Sequence, residues 1–442
     1  MIIRNARILT FDRKNRVIDC GAVEVREDGA LGWIGEDAKL PESLLKEEAF
    51  DGDRKLLMPA LINCHTHLYS SLARGISLRG APPRNFIEIL KKLWWKLDVA
   101  LDDEDVYLSA MVGLIESAKA GVATLFDHHS SPNACPGSLD VIEEAFRDVG
   151  LRGCLCYETS DRNGRASARE AITENARFIE HAGSPDDQNT IAASFGLHAS
   201  FTLGDRTLQE CLSANKSLGG RFHIHLAEDR ADVELSRVHS GKSPVRRLYD
   251  FGVLNAGSIA AHCVHVSKAD VALLAKSGVN VVHNAQSNCN NAVGTANLSQ
   301  LLDSKVAVGL GSDGYSPRML DEFATAFHVQ KVRACDPRAG YSEVFTAHLN
   351  NREVARRICN WNIGAIETGS RADLMMVDYY PPTPLTADNL FGHILFGISR
   401  APVSSLWVNG KLVVRDGHCV NVNERAIYEK AAIRSRTMWS RM

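Results

Sequence analysis

The sequence predicts an α/β fold, in which a (β/α)8 barrel of the TIM type carries a small β-sandwich domain built from both chain ends. Eight apolar runs alternate with amphipathic stretches through the middle of the chain, and both ends have short alternating patterns. Strands that are apolar throughout and separated by helices are typical of a parallel sheet covered on both faces. Eight such units over roughly 250 residues suit a closed barrel. A doubly wound sheet is the alternative, because sequence alone does not show closure.

The predicted barrel spans residues 57–368. Its eight strands are expected in LLMPALIN, VATLFDH, GLRGCLCYE, TIAASFGLH, GRFHIHLA, GSIAAHCV, VNVVHN and VAVGLGSD. Helices are expected in EDVYLSAMVGLIESAKAG, LDVIEEAFRDVG and SKADVALLAKSG, whose apolar residues recur at helical spacing. Gly121 stands where the first of these helices should stop.

The small domain is predicted to combine residues 1–56 with residues 369–442, the latter ending in a terminal helix. Both segments contain short alternating runs broken by Gly, Asp and Asn. The NG and DG pairs in the second segment indicate hairpins, since these residues tolerate positive φ. Neither segment is large enough to form a stable domain alone, so we expect the two segments to pair.

Composition excludes several classes of protein. The 442 residues carry a formal net charge of −3, so no global field would gather nucleic acid or an anionic membrane. No signal peptide and no apolar window of membrane-spanning length is evident, which predicts a cytoplasmic protein. The 11 cysteines include no CxxC pair, which argues against a disulfide framework or a thiolate zinc site.

A long segment without clear periodicity follows the first predicted barrel strand, from Leu68 to about Ala100, and contains Trp94 and Trp95. Active sites of such barrels lie at the carboxyl ends of the strands. The segment is therefore either a lid over the substrate or a packed cover of the barrel, and the sequence leaves both open.

Histidines at the ends of predicted strands give the functional signal. His65 and His67 end the first strand, and residues two apart on a strand project to the same side. His225 ends the fifth strand, His262 the sixth, and Asp313 follows the eighth. In a closed barrel all of these would point into one cup, which predicts a site for one divalent metal ion. Three imidazoles and a carboxylate suit Zn²⁺, and also Fe²⁺, Ni²⁺ or Mn²⁺.

Glu228 stands three residues after His225 and could exchange a proton between a metal-bound water and a substrate nitrogen. The alternative is a solvated glutamate at the start of the next helix, and spacing alone leaves this open. His262 is either a further ligand or a hydrogen-bonding partner of the bound hydroxide.

At these residues the chain resembles the amidohydrolase superfamily, in the branch of aminohydrolases and chlorohydrolases that act on triazines, purines and related amidines. The resemblance covers nearly the whole chain, including the segment GSRADLMMVD. Further stretches resemble the SsnA-type aminohydrolases. These are NFIEILKKLWWKLD, YETSDRNG, HLAEDRADV, HNAQSNCNNAVG and PTPLTADNLFGHILFG.

The resemblance implies a role for each matching residue. His65, His67, His225 and Asp313 would bind the metal, and Asp313 would also accept a proton from the attacking water. Glu228 would carry the proton to the substrate, and His262 would orient the water. His198, at the end of the fourth predicted strand, matches a position that contacts substrate.

The resemblance also implies a single metal ion. Members with two ions bridge them with a carboxylated Lys or a Glu at the end of the third or fourth strand. CLCYETS and SFGLHAS contain no Lys, although Glu158 is present in the first. We expect Glu158 to contact the substrate or to be structural.

The predicted reaction is hydrolytic deamination of a small nitrogen-rich compound. A metal-bound hydroxide would attack an amidine-type carbon, Glu228 would protonate the adjacent nitrogen, and ammonia would leave. The resemblance favours a purine-related substrate and a homodimer. The alternatives are release of chloride or of an amide nitrogen from the same site, or a non-catalytic scaffold. Neither nucleic acid nor a membrane is expected as a partner.

Overall fold

The computed structural model describes residues 1–78 and 80–442. The strands are β1 Ile2–Leu9, β2 Val17–Val25, β3 Leu31–Glu36, β4 Ala49–Asp51, β5 Leu56–Pro59, β6 Leu61–Thr66, β7 Val122–His129, β8 Arg152–Tyr157, β9 Ile191–Ala193, β10 Phe195–Ala199, β11 Phe222–Leu226, β12 Ile259–His262, β13 Asn280–His283, β14 Ala307–Leu310, β15 Leu374–Val377, β16 Val403–Val408, β17 Lys411–Arg415 and β18 His418–Cys419.

Helices occupy most of the remaining length between the strands. They are α1 Phe86–Ile89, α2 Trp95–Ala100, α3 Asp103–Lys119, α4 Ser138–Val149, α5 Gly164–Ala182, α6 Asp205–Asn215, α7 Arg230–Ser240, α8 Pro244–Phe251, α9 Lys268–Ser277, α10 Ala285–Asn290, α11 Leu298–Asp303, α12 Met319–Ala334, α13 Tyr341–Cys359, α14 Leu390–Phe396 and α15 Glu424–Ser440. None of the helices in the described part of the chain is long and apolar enough to cross a membrane.

Two parallel sheets form the centre of the molecule. One contains β6–β7–β8–β9 in that order, and the other contains β10–β11–β12–β13–β14. Their strands are almost entirely buried, and helices connect successive strands. The predicted α/β class is confirmed. Because neighbouring strands run parallel, their carboxyl ends lie along one edge of each sheet.

Both edges of one sheet contact an edge of the other. Thr66 forms an isolated parallel bridge with Asp313, and the Asp313 N–H donates to the carbonyl of His65 at 2.9 Å. At the opposite edge Thr159 bridges Leu197. These contacts place the ends of β6 and β14 beside each other, and likewise the ends of β8 and β10.

Each of the eight predicted runs contains a parallel strand, but two runs are divided. LLMPALIN is divided at Ala60 into β5, which joins the terminal sheet, and β6. TIAASFGLH is divided at Ser194 into β9, which pairs with β8, and β10, which pairs with β11. The expectation of one continuous strand in each run was wrong, because the two halves pair with different neighbours.

The three helices expected from periodicity are present as α3, α4 and α9. A capping box between Asp102 and Asp105 begins α3, which satisfies backbone N–H groups that have no partner inside the helix. Gly121 follows the end of α3 with φ of 79°, a left-handed conformation that favours glycine. The predicted stop signal is therefore confirmed.

The segment after the first parallel strand is more helical than expected. A 3₁₀ turn covers Leu68–Ala73, and α1, a π-helical turn at Leu90–Trp94 and α2 follow one another. Phe86, Leu90 and Trp94 lie four residues apart, so they share one face of these turns. This spacing was not predicted from the sequence.

Strands from both chain ends pair in one sheet. Its order is β18–β17–β16–β15–β5–β1–β2–β3, with β4 paired to β1. Asn409 and Gly410 join β16 to β17 with φ of 51° and 77°, and Asp416 and Gly417 join β17 to β18 with the same values. Both hairpins predicted from NG and DG are confirmed.

Candidate active site

The strand-end histidines predicted as ligands meet at one point. His65 lies in β6 and His67 directly after it, His225 lies in β11, and Asp313 follows β14. One ligand atom from each of these four side chains lies within 4.8 Å of all the others. The His67 Nε2 atom is 2.9 Å from Asp313 Oδ1 and 3.1 Å from His225 Nε2, and His65 Nε2 is 3.5 Å from Asp313 Oδ1.

Backbone carbonyls orient two of these imidazoles. The Nδ1–H of His67 donates to the carbonyl of His128, and the Nδ1–H of His225 donates to the carbonyl of His198 at 3.0 Å. With Nδ1 protonated, the Nε2 lone pair of each ring is free and directed at the centre of the cluster. Such a hydrogen bond on the second nitrogen is the usual arrangement of a metal-binding histidine.

The third imidazole is oriented by another histidine. The Nδ1 atom of His65 lies 2.8 Å from Nε2 of His223, and Nε2 of His65 is buried without a hydrogen-bond partner. A buried polar atom without a partner is costly, and a bound cation would satisfy it. The three Nε2 atoms and the Asp313 carboxylate therefore fit a divalent transition metal.

His262 and Glu228 lie beside Asp313. His262 Nε2 is 3.8 Å from Asp313 Oδ2 and 3.6 Å from Glu228 Oε2, so these groups form a second buried cluster. The Nδ1–H of His262 donates to Asn288 Oδ1 at 2.8 Å, which fixes the ring. His262 has φ of 74° and Asp313 has φ of 56°. Such left-handed backbone is uncommon outside glycine and is often found at functional sites.

The two carboxyl groups of this cluster differ in acidity. Burial, with a further contribution from Asp313, raises the pKa of Glu228 to about 7 despite the opposing influence of His262. Burial also acts to raise the pKa of Asp313, but the neighbouring His65, His67 and His262 rings hold it well below its ordinary value. Glu228 is thus suited to gaining and losing a proton near neutral pH, whereas Asp313 stays ionised.

Glu158 and His198 lie on another side of the centre. Glu158 Oε2 is 3.4 Å from His128 Nδ1, and Glu158 Oε1 is 2.7 Å from Nη2 of Arg162 and 3.9 Å from Nε2 of His198. The His198 ring also hydrogen-bonds through Nδ1 to the hydroxyl of Thr202 at 2.7 Å. Both predicted substrate-contact residues therefore line the same cavity as the histidine cluster.

That cavity is a cleft with two chemically different ends. Its inner end is polar and is lined by three histidines and three of the carboxylates described above, namely His67, His198, His225, Glu158, Glu228 and Asp313. Its outer wall is largely apolar and includes Phe86, Leu90, Trp94 and Phe201. The segment whose role the sequence left open thus supplies part of the cleft wall. A planar heterocycle against the aromatic wall would bring a ring carbon to the polar end.

Several polar residues of the site were missed in the sequence analysis. His223 has a visible signal, since it forms HIH with His225 on one strand. The residues Ser287, Asn288 and Asn291 lie in or directly after α10, and their signal is the polar run HNAQSNCNN after the seventh strand. The Ser287 hydroxyl donates to Asp313 Oδ2, and the Asn291 amide donates to Glu228 Oε1 at 3.3 Å.

Comparison with known proteins identifies the family. The model of the amidohydrolase family matches residues 56–413, which is most of the chain. The chain belongs to the amidohydrolase family. This confirms the family resemblance inferred from the sequence, and with it the predicted class of enzyme, a hydrolase acting on carbon–nitrogen bonds. The closer resemblance to the SsnA-type proteins stays a prediction.

Curated relatives align with this amidohydrolase over nearly its full length. The 5-methylthioadenosine/S-adenosylhomocysteine deaminase of Pelotomaculum thermopropionicum is 30% identical over 447 aligned residues, covering 100% of this chain and 99% of the relative. The 5'-deoxyadenosine deaminase of Methanopyrus kandleri is 30% identical and covers 94% of each chain.

Solved structures share the fold of this amidohydrolase. An adenosine deaminase from Xanthomonas campestris with bound zinc has a TM-score of 0.84 at 23% identity, covering 100% of this chain and 98% of that chain. An atrazine chlorohydrolase from Arthrobacter aurescens complexed with zinc has a TM-score of 0.83 at 19% identity, covering 98% and 99%.

Proposed function

We propose that this amidohydrolase is a metal-dependent deaminase that hydrolyses an amino group from a purine-related compound. The convergence of His65, His67, His225 and Asp313 at the inner end of a substrate-sized cleft carries the proposal. Full-length relatives named as deaminases of adenosine derivatives support both the reaction and the purine-related substrate.

These four residues are the proposed ligands of one divalent metal ion, Zn²⁺ in preference to Fe²⁺. A divalent ion held there would lower the pKa of water toward neutrality and so supply a nucleophile at neutral pH. The zinc-containing structures of similar fold are consistent with this choice of ion.

The chain's own residues would then move protons around the reacting carbon. Asp313 would accept a proton from the attacking water, and the His262 ring, fixed by Asn288, would orient that water. Glu228 would deliver a proton to the ring nitrogen adjacent to the carbon under attack. A carbon–oxygen bond forms, the carbon–nitrogen bond breaks, and the amino group leaves as ammonia with protons taken from water.

The surroundings of Glu158 support the proposal of a single ion. Its carboxylate is already paired with Arg162, which makes it a poor bridge between two cations. Glu158, His128 and His225 lie close enough to form another candidate group, but that group reuses His225. Two peaks of anomalous scattering from metal in each chain would contradict the assignment.

We propose that the two parallel sheets close into one (β/α)8 barrel, supported by the bridges at both edges. The terminal sheet would form the small β domain, with residues 1–56 and 369–442 as its two parts and β5 extending the first. A homodimer and a cytoplasmic location stay predictions, tested by light scattering and cell fractionation.

The experiment that tests the function combines elemental analysis with a screen for ammonia release from purines, pterins, triazines and amidines. About one metal ion per chain and ammonia from an adenine compound are expected. Chloride or an amide nitrogen as the only product would favour the alternative leaving groups. A chain that binds no metal after reconstitution would contradict the mechanism. The alternative of a non-catalytic scaffold would then be favoured, in spite of the presence of all the expected ligands.

A further inference from the structure

The cleft is rich in acidic groups. Four carboxylates line it, namely Glu158, Glu228, Asp232 and Asp313. Within residues 1–78 and 80–442, no lysine or arginine lines the same surface. The proposed metal ion at the inner end would be bound by Asp313 and lie near Glu228, and these groups would offset part of its positive charge. The rest of the cleft offers neutral hydroxyl and amide groups and apolar surface.

The nearest guanidinium behind the wall is already paired. Arg162 has a side chain only 8% exposed, and its Nη2 atom is shared between Glu158, 2.7 Å away, and Asp98 of α2. The same atom donates to the Ser130 hydroxyl at 3.1 Å. One guanidinium therefore faces two carboxylates, and no positive charge is left for a ligand.

A neighbouring cavity continues from the cleft past Trp94 and Tyr315, and its cations are also paired. Arg74 binds both carboxylate oxygens of Glu116, at 2.7 and 2.6 Å. Lys119 pairs with Glu424, and Arg318 pairs with Asp321 at 3.1 Å. A phosphate reaching outward from the cleft would thus have to compete with a carboxylate for each of these cations.

We propose that this cleft selects purine bases or nucleosides without net charge and discriminates against purine compounds that carry a net negative charge, such as a phosphate. The inference rests on the proposed function and narrows its substrate class. An anion that leaves water without gaining a cation carries a large desolvation cost, and the ionised carboxylates of Glu158 and Asp313 add repulsion. 5'-Deoxyadenosine and 5'-methylthioadenosine meet this requirement, whereas adenosine 5'-monophosphate carries a phosphate.

The test measures kcat/KM for ammonia release by the metal-loaded protein with these three compounds. We expect each uncharged nucleoside to exceed the monophosphate by at least about tenfold, the factor that corresponds to one strong polar interaction. Equal or faster turnover of the monophosphate would overturn the inference alone. No ammonia from any adenine compound would remove the proposed function, and the inference with it.

Two variants test whether the charge of the cleft causes this selection. Glu158→Gln removes one of the two carboxylates that neutralise Arg162, so the ratio of monophosphate to deoxyadenosine turnover should rise several-fold. Glu174→Gln is the matched control, since Glu174 is a buried carboxylate paired with Arg177 and does not line the cleft. Because Glu158→Gln could lose all activity, Tyr315→Arg adds a cation at a position 49% exposed at the cleft mouth. An unchanged ratio in both variants would overturn the role of charge.

Discussion

The Nδ1 atom of His65 lies 2.8 Å from the Nε2 atom of His223, and both rings are fully buried. For Nε2 of His65 to bind a metal ion, its Nδ1 must carry the proton and donate it to His223. His223 is then held with its own proton on Nδ1, an atom that has no hydrogen-bond partner. His223 thereby positions a proposed ligand without contacting the ion.

Substitution of His223 should weaken metal binding more than it weakens folding. His223→Phe removes the acceptor, and we expect the dissociation constant of zinc to rise roughly 10- to 100-fold, as for other residues that support metal ligands. Competition with a chromogenic chelator measures it. His223→Gln retains an acceptor oxygen and should lose less. Equal zinc affinity in wild type and His223→Phe would show that His223 only fills space.

Glu228→Gln tests the proton carrier. The amide introduced by this substitution would keep an oxygen that can accept from Asn291 but could not exchange a proton, so kcat should fall by about a hundredfold or more. Metal content should be unchanged, because Glu228 is not a proposed ligand. Elemental analysis measures the metal content, and ammonia release measures kcat.

Glu234→Gln replaces an exposed glutamate on α7, so it is the control and should keep full activity. Near-normal kcat in Glu228→Gln would contradict the assigned role.

Much of this site could be predicted because its residues follow strand ends. His65, His225 and Asp313 are far apart in sequence. The carboxyl ends of parallel strands lie at one edge of a sheet, so the strand pattern alone predicted that these three residues would meet. The helical face of Phe86, Leu90 and Trp94 was missed because it spans only short turns. The i, i+4 spacing of these residues is visible in the sequence and indicates a helix. The surrounding Gly and Pro residues indicate a loop and obscured it.

Other features depend on tertiary contacts that leave no local signal. Nothing in the spacing of Asp98 and Arg162 indicates that they pair, since they lie on α2 and on the segment after β8. The same holds for the divided strands, because the break at Ala60 is explained only by the pairing of β5 with β1 and β15. Pairing partners of distant segments are decided by packing, which a single sequence does not display.

The last turns of α15 hold both ends of the segment that forms the cleft wall. Trp439 donates through Nε1 to the carbonyl of Leu72 at 2.8 Å, and Arg441, just beyond the helix, donates to the carbonyl of Ala100 at 2.8 Å. Arg441 also pairs with the buried carboxylate of Asp105 at the start of α3. The terminal helix therefore fixes the wall that carries Trp94 from outside the cleft.

Loss of these contacts should loosen the wall and raise KM while the metal content stays constant. For Arg441→Ala we expect a decrease of about 1–3 kcal/mol in the free energy of unfolding, because the Asp105 carboxylate loses a partner, and a several-fold higher KM. Trp439→Phe keeps the packing and loses one donor, so its effects should be smaller. Steady-state kinetics and denaturant unfolding provide the measurements. Arg425→Ala is the control, since Arg425 pairs with Glu429 on the exposed face of α15. An Arg441→Ala variant with the same KM as this control would contradict the proposed support of the cleft wall by Arg441.

Asp232 gives the chain a dependence of stability on pH. The carboxyl is buried and accepts from the Ala227 N–H at 2.6 Å, and burial raises its pKa to about 7 from an ordinary value of 3.8. Between these values the folded chain keeps a proton that the unfolded chain has lost. Raising the pH therefore lowers the free energy of unfolding, by up to about 1.4 kcal/mol per pH unit, until the loss levels off above about pH 7.

Asp232→Asn removes this proton while keeping an acceptor oxygen for Ala227. The melting temperature of the variant relative to wild type should therefore rise as the pH increases from about 4 to 7 and stay constant above that range. Thermal unfolding of the metal-loaded proteins across this range provides the measurement. Asp303→Asn, at the exposed end of α11, should show no such trend. A constant difference between Asp232→Asn and wild type at every pH would mean that Asp232 is ionised throughout, because its bonds to Ala227 and Ser236 would then outweigh its burial.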